Sequence, residues 1–348
     1  MIPTVDQLSS DVLTVRAHDL FNPPGLTNFL GALQVDRDPV AIRSVNYPPL
    51  FGSDVPTGAL FLNGEYVVGK NPPISFTWTP DRIVRDTTVG PFHVTTTTVA
   101  PIGHTAAVVD IEVHNRGPAG PVELHLAVAG MATNQTLSLR DALPPMEAST
   151  LSVDDTRRAA VFVGDRTGAA SVQGLFPAAD RVDRNGLWAM MSDLAAGERW
   201  VLRFVVALGA TTGDAIATFD KLTTGPDPIA HARQYWNEEL AATVTPGNDR
   251  YSGHLPQLET DDPALRRIYD TGILGVIYFK RDTPHSVIGR AYDTLTPRYW
   301  PTITFLWDFS LSSTVHALLD PEPMRKQVEH WMNTDVHTCM GTSWLTGE

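Results

Sequence analysis

One change of hydrophobic period divides this chain and limits what it can fold into. Up to about residue 222, apolar residues recur at every second position or in short β-branched runs. Beyond about Pro226 they recur every three to four. Strand signals collected in one part and helix signals in another predict a β domain followed by a helical one, not an alternating α/β sheet. Val109, Ile111 and Val113 alternate with Asp110, Glu112 and His114, the pattern of a strand with one buried face. Asn115-Arg-Gly117 supplies a turn, and Val122, Leu124, Leu126 and Val128 resume the alternation. Thr95 to Val99 is a β-branched run, and residues 160–163 and 200–208 read as strands buried on both faces. So many short strands between Gly, Pro, Asn and Asp turns predict a large antiparallel β-sandwich over residues 13–225, after an N-terminal tail at 1–12. At about 210 residues it is roughly twice an immunoglobulin-sized sandwich.

Asp227-Pro228 opens a helix whose Ile229, Ala232, Tyr235, Trp236 and Leu240 share a face, so residues 226–262 read as a linker helix and an extended connection. Residues 263–348 read as helices joined by loops. Asp262 is the expected N-cap of the first, with Pro263 at its first position and a stripe of Leu265, Ile268, Tyr269, Gly272, Val276 and Phe279. A long loop covers 281–300. A helix over about 308–319 follows, then another capped by Asp320, with Met324, Val328, Trp331 and Met332 as its stripe.

The functional signal is Tyr299-Trp-Pro-Thr-Ile-Thr-Phe-Leu-Trp-Asp-Phe-Ser310, where loop gives way to helix. Asp308 can accept hydrogen bonds from sugar hydroxyls. Trp300, Phe305, Trp307 and Phe309 offer flat apolar faces to sugar C–H surfaces, a combination that a carbohydrate site needs. Asp308 also suits a helix N-cap, and Trp307 suits a core; these readings stay open beside the sugar-binding ones. The formal charge of −13 argues against a nucleic-acid partner. No run of 18 apolar residues suggests a membrane span. The N-terminus lacks the basic and apolar regions of a signal peptide, which makes a cytoplasmic location the expectation. Cys339 is the single cysteine, so no internal disulfide can form.

The order of parts, with Phe305-Leu-Trp-Asp-Phe-Ser310, Leu318-Leu-Asp-Pro-Glu-Pro-Met-Arg325 and Leu258-Glu-Thr-Asp-Asp-Pro-Ala-Leu265, resembles the six-hairpin, (α/α)6 glycosidases. That group includes trehalases, glucoamylase-like enzymes, family 63 α-glucosidases and related sugar phosphorylases. The resemblance implies a sandwich of the supersandwich type followed by the first helices of an incomplete (α/α)6 barrel. It implies a neutral carbohydrate substrate, no cofactor, and a sugar held at the cleavage position by Trp307 and Asp308. Arg298 is the nearest counterpart of an arginine that trehalases carry shortly before the pair, although their Gly-Gly-Arg context is absent. Twelve barrel helices need at least roughly 200 residues, and 86 follow Asp262. The expectation is therefore the N-terminal part of a longer glycoside hydrolase, inverting, with its general acid and base beyond residue 348. Alone, the chain should bind sugar weakly and turn over little. A phosphorylase of the same architecture and a non-catalytic carbohydrate-binding protein are the alternatives. Among carboxylates near the aromatic segment, Asp293, Asp308 and Glu348, no spacing singles out a catalytic pair.

Other motifs carry less. Gly64-Glu-Tyr-Val-Val-Gly-Lys70 nearly matches a P-loop, but Asn71-Pro-Pro73 forbids the helix that must follow. His330, His337 and Cys339 do not meet zinc-site spacing. Asn134-Gln-Thr136 is a glycosylation sequon without a secretion signal to give it use.

Overall fold

The computed structural model describes residues 2–294 and 302–348. Three antiparallel sheets make up the first part. The largest has nine strands in the order Leu13–Val15, Ile74–Thr79, Arg82–Val89, Phe92–Val99, Ala106–Asn115, Arg199–Gly209, Ala170–Phe176, Ala159–Gly164 and Ser149–Asp154. One five-stranded sheet centres on Gly120–Ala127 and the other on Ile42–Tyr47. The alternation read in the sequence is what builds the interior. Val109, Ile111 and Val113 point into a core shared with Val122, Leu124 and Leu126 of one small sheet and Leu33, Val45 and Tyr47 of the other. Asp110 and Glu112 face outward and pair with Arg203 and Arg199 across the sheet. Phe204, fully buried, closes against Gly58, whose φ is +86° and where an added Cβ would come within 2.6 Å of the Phe204 ring, so no side chain fits.

The strand Arg199–Gly209 was expected to be buried on both faces along its length. Only its second half is: Val201 is exposed, while Val205 and Ala207 are covered. The cover is a helix that the strand-and-turn reading of residues up to 222 missed, α1 (Thr212–Thr224). Its signal was local. Thr211 Oγ1 accepts from Asp214 N and Asp214 reaches back to Thr211 N, a reciprocal cap. Ala215, Phe219 and Leu222 then fall on one face and pack on Val108, Val161 and Val172.

The next helix, α2 (Pro228–Ala242), starts as the sequence predicts, with Asp227 accepting from Ile229 N at 3.1 Å. It does more than link. Ala232 joins the cover of the large sheet, while Trp236 and Leu240 enter a second core with the helical part. That core receives Phe29, at the tip of the turn after strand Gly25–Thr27, against Trp236 (4.8 Å between rings) and under the Lys280 ammonium (4.2 Å). Glu239 of α2 lies fully buried among three partners: Lys280 Nζ at 2.5 Å, Tyr251 Oη at 2.5 Å and Arg250 Nη1 at 2.9 Å. Burial pushes the Lys280 ammonium down, against the attraction of Glu239.

Three further helices follow: α3 (Pro263–Tyr278), α4 (Leu306–Leu319) and α5 (Pro321–Met332). Asp262 caps α3 as expected, accepting from Ala264 N and Leu265 N. Asp320 occupies the N-cap position of α5 but caps nothing; it accepts instead from Tyr292 Oη at 2.9 Å and Arg290 Nη1 at 3.2 Å. The expected loop at 281–300 contains, within its described part, a short strand Ala291–Tyr292 paired with Lys280–Arg281. The faces of α3 and α5 also differ from expectation. α3 buries Ile273, Leu274 and Ile277, and α5 buries Pro323, Gln327 and Trp331. Leu265, Ile268, Leu311, Leu318, Val328 and Met332 stand exposed, with Ile268 at 70% and Met332 at 80%. Each of the three helices thus carries exposed apolar residues beside its buried face.

Candidate functional site

The Trp-Asp pair sits where the sequence places it, at the entrance to a helix. Strand Ile303–Phe305 pairs with Gly341–Ser343, and Leu306 N, the first residue of α4, donates to Met340 O at 2.7 Å. The helix direction then turns Phe309 inward onto Trp331 and leaves Trp307 and Asp308 outward. Trp307 is 69% exposed, so the core-packing reading is set aside. The N-cap reading of Asp308 is also set aside: Phe305 holds the N-cap position, without a side-chain cap bond, and Asp308 lies three residues on. Its carboxylate stays in the first turn, where the helix dipole favours negative charge. Phe305 is half-buried and borders Gly341, where an added Cβ would come within 2.8 Å of the Phe305 ring and of Leu139 from the sandwich. Leu137 O of the same sandwich loop accepts from Ser343 Oγ at 2.8 Å, so the β domain reaches the base of the aromatic segment. Trp300 and Arg298 lie outside the described residues.

A buried polar layer that sequence reasoning did not assemble adjoins the start of the same segment, at Thr302. Asp293 Oδ2 lies 2.7 Å from Arg281 Nε, an ion pair without the alignment of a hydrogen bond, and both side chains are wholly buried. The same oxygen accepts from Thr302 N at 2.7 Å. Burial pushes the Asp293 carboxyl up to about 7 in spite of Arg281. The ring of His316 on α4 lies against Tyr292, tilted by 34° with 4.2 Å between centroids, and burial pushes its imidazole down to about 4. Asp293 was visible in the sequence as a carboxylate near the segment; its partner Arg281 was not, because nothing local marks a contact across twelve residues.

The remaining sequence candidates fall elsewhere. Glu348 is exposed, and its backbone oxygen accepts from Ser343 N at 2.9 Å. His330 shares a hydrogen bond with Thr342 Oγ1 at 2.9 Å and meets the Trp344 ring edge-on. No group of three potential metal ligands occurs among the described residues. The near-P-loop forms a hairpin strand Glu65–Tyr66 and a 3-10 turn Val68–Lys70. No described helix is long and apolar enough to cross a membrane. One open groove of about 730 Å³, which the sequence did not announce, lies in the sandwich loop lined by Asn134, Gln135, Asp141, Pro144, Met146 and Arg166.

The chain matches no protein-family model, and its sequence matches no curated protein. Solved structures do share its fold. A bacterial glucoamylase complexed with acarbose superposes with a TM-score of 0.55 at 10% identity, over 97% of this chain and 56% of that one. A structure described as "Putative kojibiose phosphorylase from human microbiome" superposes with a TM-score of 0.52 at 7% identity, over 87% of this chain and 45% of that one. The chain thus spans about half the length of these proteins. A β domain leading into helices, in the arrangement of carbohydrate-active enzymes, is the fold of this protein.

Proposed function

We propose that this chain is the N-terminal part of a glycoside hydrolase acting on an α-glucosidic or related neutral sugar linkage. The observation that carries the reading is the outward, side-by-side placement of Trp307 and Asp308 at the entrance of α4, in a fold shared with a glucoamylase that binds acarbose. Trp307 offers its ring to an apolar sugar face, and Asp308 accepts from two hydroxyls of the same residue. Chemistry then needs a carboxylic acid to protonate the leaving oxygen and a carboxylate to activate water on the opposite side of the ring. In an inverting enzyme the two stand about 6.5–9.5 Å apart. In this reading both come from helices that follow residue 348. Those helices also cover the apolar face of Ile268, Leu311, Leu318, Val328 and Met332 and complete an (α/α)6 barrel.

The phosphorylase-like neighbour supports a second reading, in which phosphate replaces the activated water. The test is to extend the reading frame beyond codon 348, express the longer protein and assay maltose and kojibiose with and without inorganic phosphate. Glucose release independent of phosphate is the expected result. Strict phosphate dependence would establish the phosphorylase. A stop at codon 349 would overturn the intact-enzyme reading and leave a carbohydrate-binding protein.

A further inference from the structure

Thr302 is the one residue of the described aromatic segment in a conformation it should avoid. Its φ is +90°, in a β-branched residue that is also buried, a backbone conformation that L side chains rarely adopt and that strains the chain. Strain of this kind persists only where the surroundings impose it. Here the peptide is held from both sides: Thr302 N donates to Asp293 Oδ2 at 2.7 Å, and Thr302 O accepts from Trp344 N at 2.9 Å. Three further bonds tie the same crossing together: Thr294 N to Ile303 O, Phe305 N to Thr294 Oγ1, and Thr304 Oγ1 to Tyr292 O. The strand Ile303–Phe305 and the entrance to α4 leave directly from this point.

Asp293 is itself anchored to the other domain. Arg281, its ion-pair partner, donates through Nη1 to Thr27 Oγ1 at 3.2 Å and to Lys280 O at 2.7 Å. Thr27 Oγ1 also accepts from Phe29 N, and Phe29 O accepts from Asp282 N at 2.8 Å. Phe29 has φ of +70° and is plugged into the core between α2 and α3. A continuous set of contacts therefore runs from the sandwich turn at Thr27–Phe29, through Arg281 and Asp293, to Thr302. Among the described residues, two atoms of the pair, Arg281 Nη2 and Asp293 Oδ1, have no hydrogen-bond partner. A fully buried pair this incompletely satisfied contributes little net stability, because desolvation offsets its attraction. What the pair does fix is geometry, through its bonds to Thr27 and Thr302.

We propose that Arg281 and Asp293 are positioning residues: they hold Thr302 in its strained conformation and so set where the Trp307–Asp308 helix entrance stands relative to the sandwich. The importance of this for sugar binding rests on the function proposed above; the positioning itself does not. The pair touches no exposed surface and takes no part in bond making.

The test uses the chain labelled with 5-fluorotryptophan, with the Trp307 resonance assigned from Trp307→Phe. Asp293→Asn removes the charge that Arg281 meets and should displace the Trp307 resonance while the chain still melts cooperatively. Affinity for maltose, read by titration, should fall at least tenfold. Glycine adopts positive φ without strain, so Asp293→Asn combined with Thr302→Gly should return both readouts toward the parent. A merely structural role would give no such rescue. If Asp293→Asn does not fold, Arg281→Lys, which keeps the charge and shortens the reach to Thr27, carries the same test. An unmoved Trp307 resonance in a folded variant would overturn the proposal, even if maltose binds. A displaced and rescued resonance in a chain that never binds maltose would uphold the positioning and sink the sugar-site reading instead.

Discussion

The nine-stranded sheet and the helices α3 to α5 treat their apolar residues in opposite ways. The sheet is covered on both faces where it needs to be: one side by the two smaller sheets, the other by α1 and α2. The three helices bury one side and leave a second apolar side exposed, from Leu265 on α3 through Leu311 on α4 to Met332 on α5. The contrast teaches where the chain is self-sufficient. The sandwich closes its own core, whereas the helical part presents surface that water does not favour and another layer would.

Three measurements can break or sharpen this contrast. The largest effect belongs to the sandwich core. Phe204→Ala should destabilise the chain by about 3–5 kcal/mol, read as a fall in the denaturant midpoint; a loss under about 1 kcal/mol would mean the sandwich is looser than its packing implies.

An intermediate effect should distinguish two buried aspartates, one in each region. In the sandwich, Asp38 accepts from Val40 N, Ala41 N and Leu60 N, yet burial pushes its carboxyl up to about 6. Asp293 is pushed up to about 7. Both carboxyls hold a proton more tightly in the folded chain than in the unfolded one. Each contribution to stability is therefore present below pH about 4, the unfolded value, and is lost as pH rises, through about 6 for Asp38 and about 7 for Asp293. Melting curves from pH 4 to 8 should show Asp38→Asn lessening the slope up to about pH 6, and Asp293→Asn lessening it up to about pH 7. A slope unchanged by either substitution would show that neither carboxyl carries it.

The smallest effect should come from the exposed helical face. Ile268→Glu with Met332→Glu should change stability of this chain by no more than about 0.5 kcal/mol per site while lowering binding of an apolar dye. A large loss of stability would show that the face is already covered in solution.

Much of the candidate site was legible because its signals are local. Trp307 and Asp308 stand at a helix entrance as their neighbours predict, and Asp227 and Asp262 cap the helices that follow them. Cap bonds span two or three residues, so the sequence alone can announce them. The same logic would have found α1 from Thr211 and Asp214 had the strand pattern before it not been carried forward too far. Asp320 misled for the opposite reason. It has the right residue type before a proline, but Tyr292 and Arg290, 28 and 30 residues away, claim its carboxylate first.

The order of strands before helices, the alternation at Val109 to Val113, the helix starts and the aromatic Trp-Asp segment were determined by the sequence alone, because each is a matter of period or of bonds within one turn. The tertiary structure alone decided the rest: which stripe of α3 and α5 is buried, that Phe29 plugs the joint between the β part and the helices, and that Arg281 and Asp293 meet beside Thr302. Periodicity says that a face is apolar but not what will cover it, and a buried ion pair is chosen by whichever charges the packing of distant segments brings within reach.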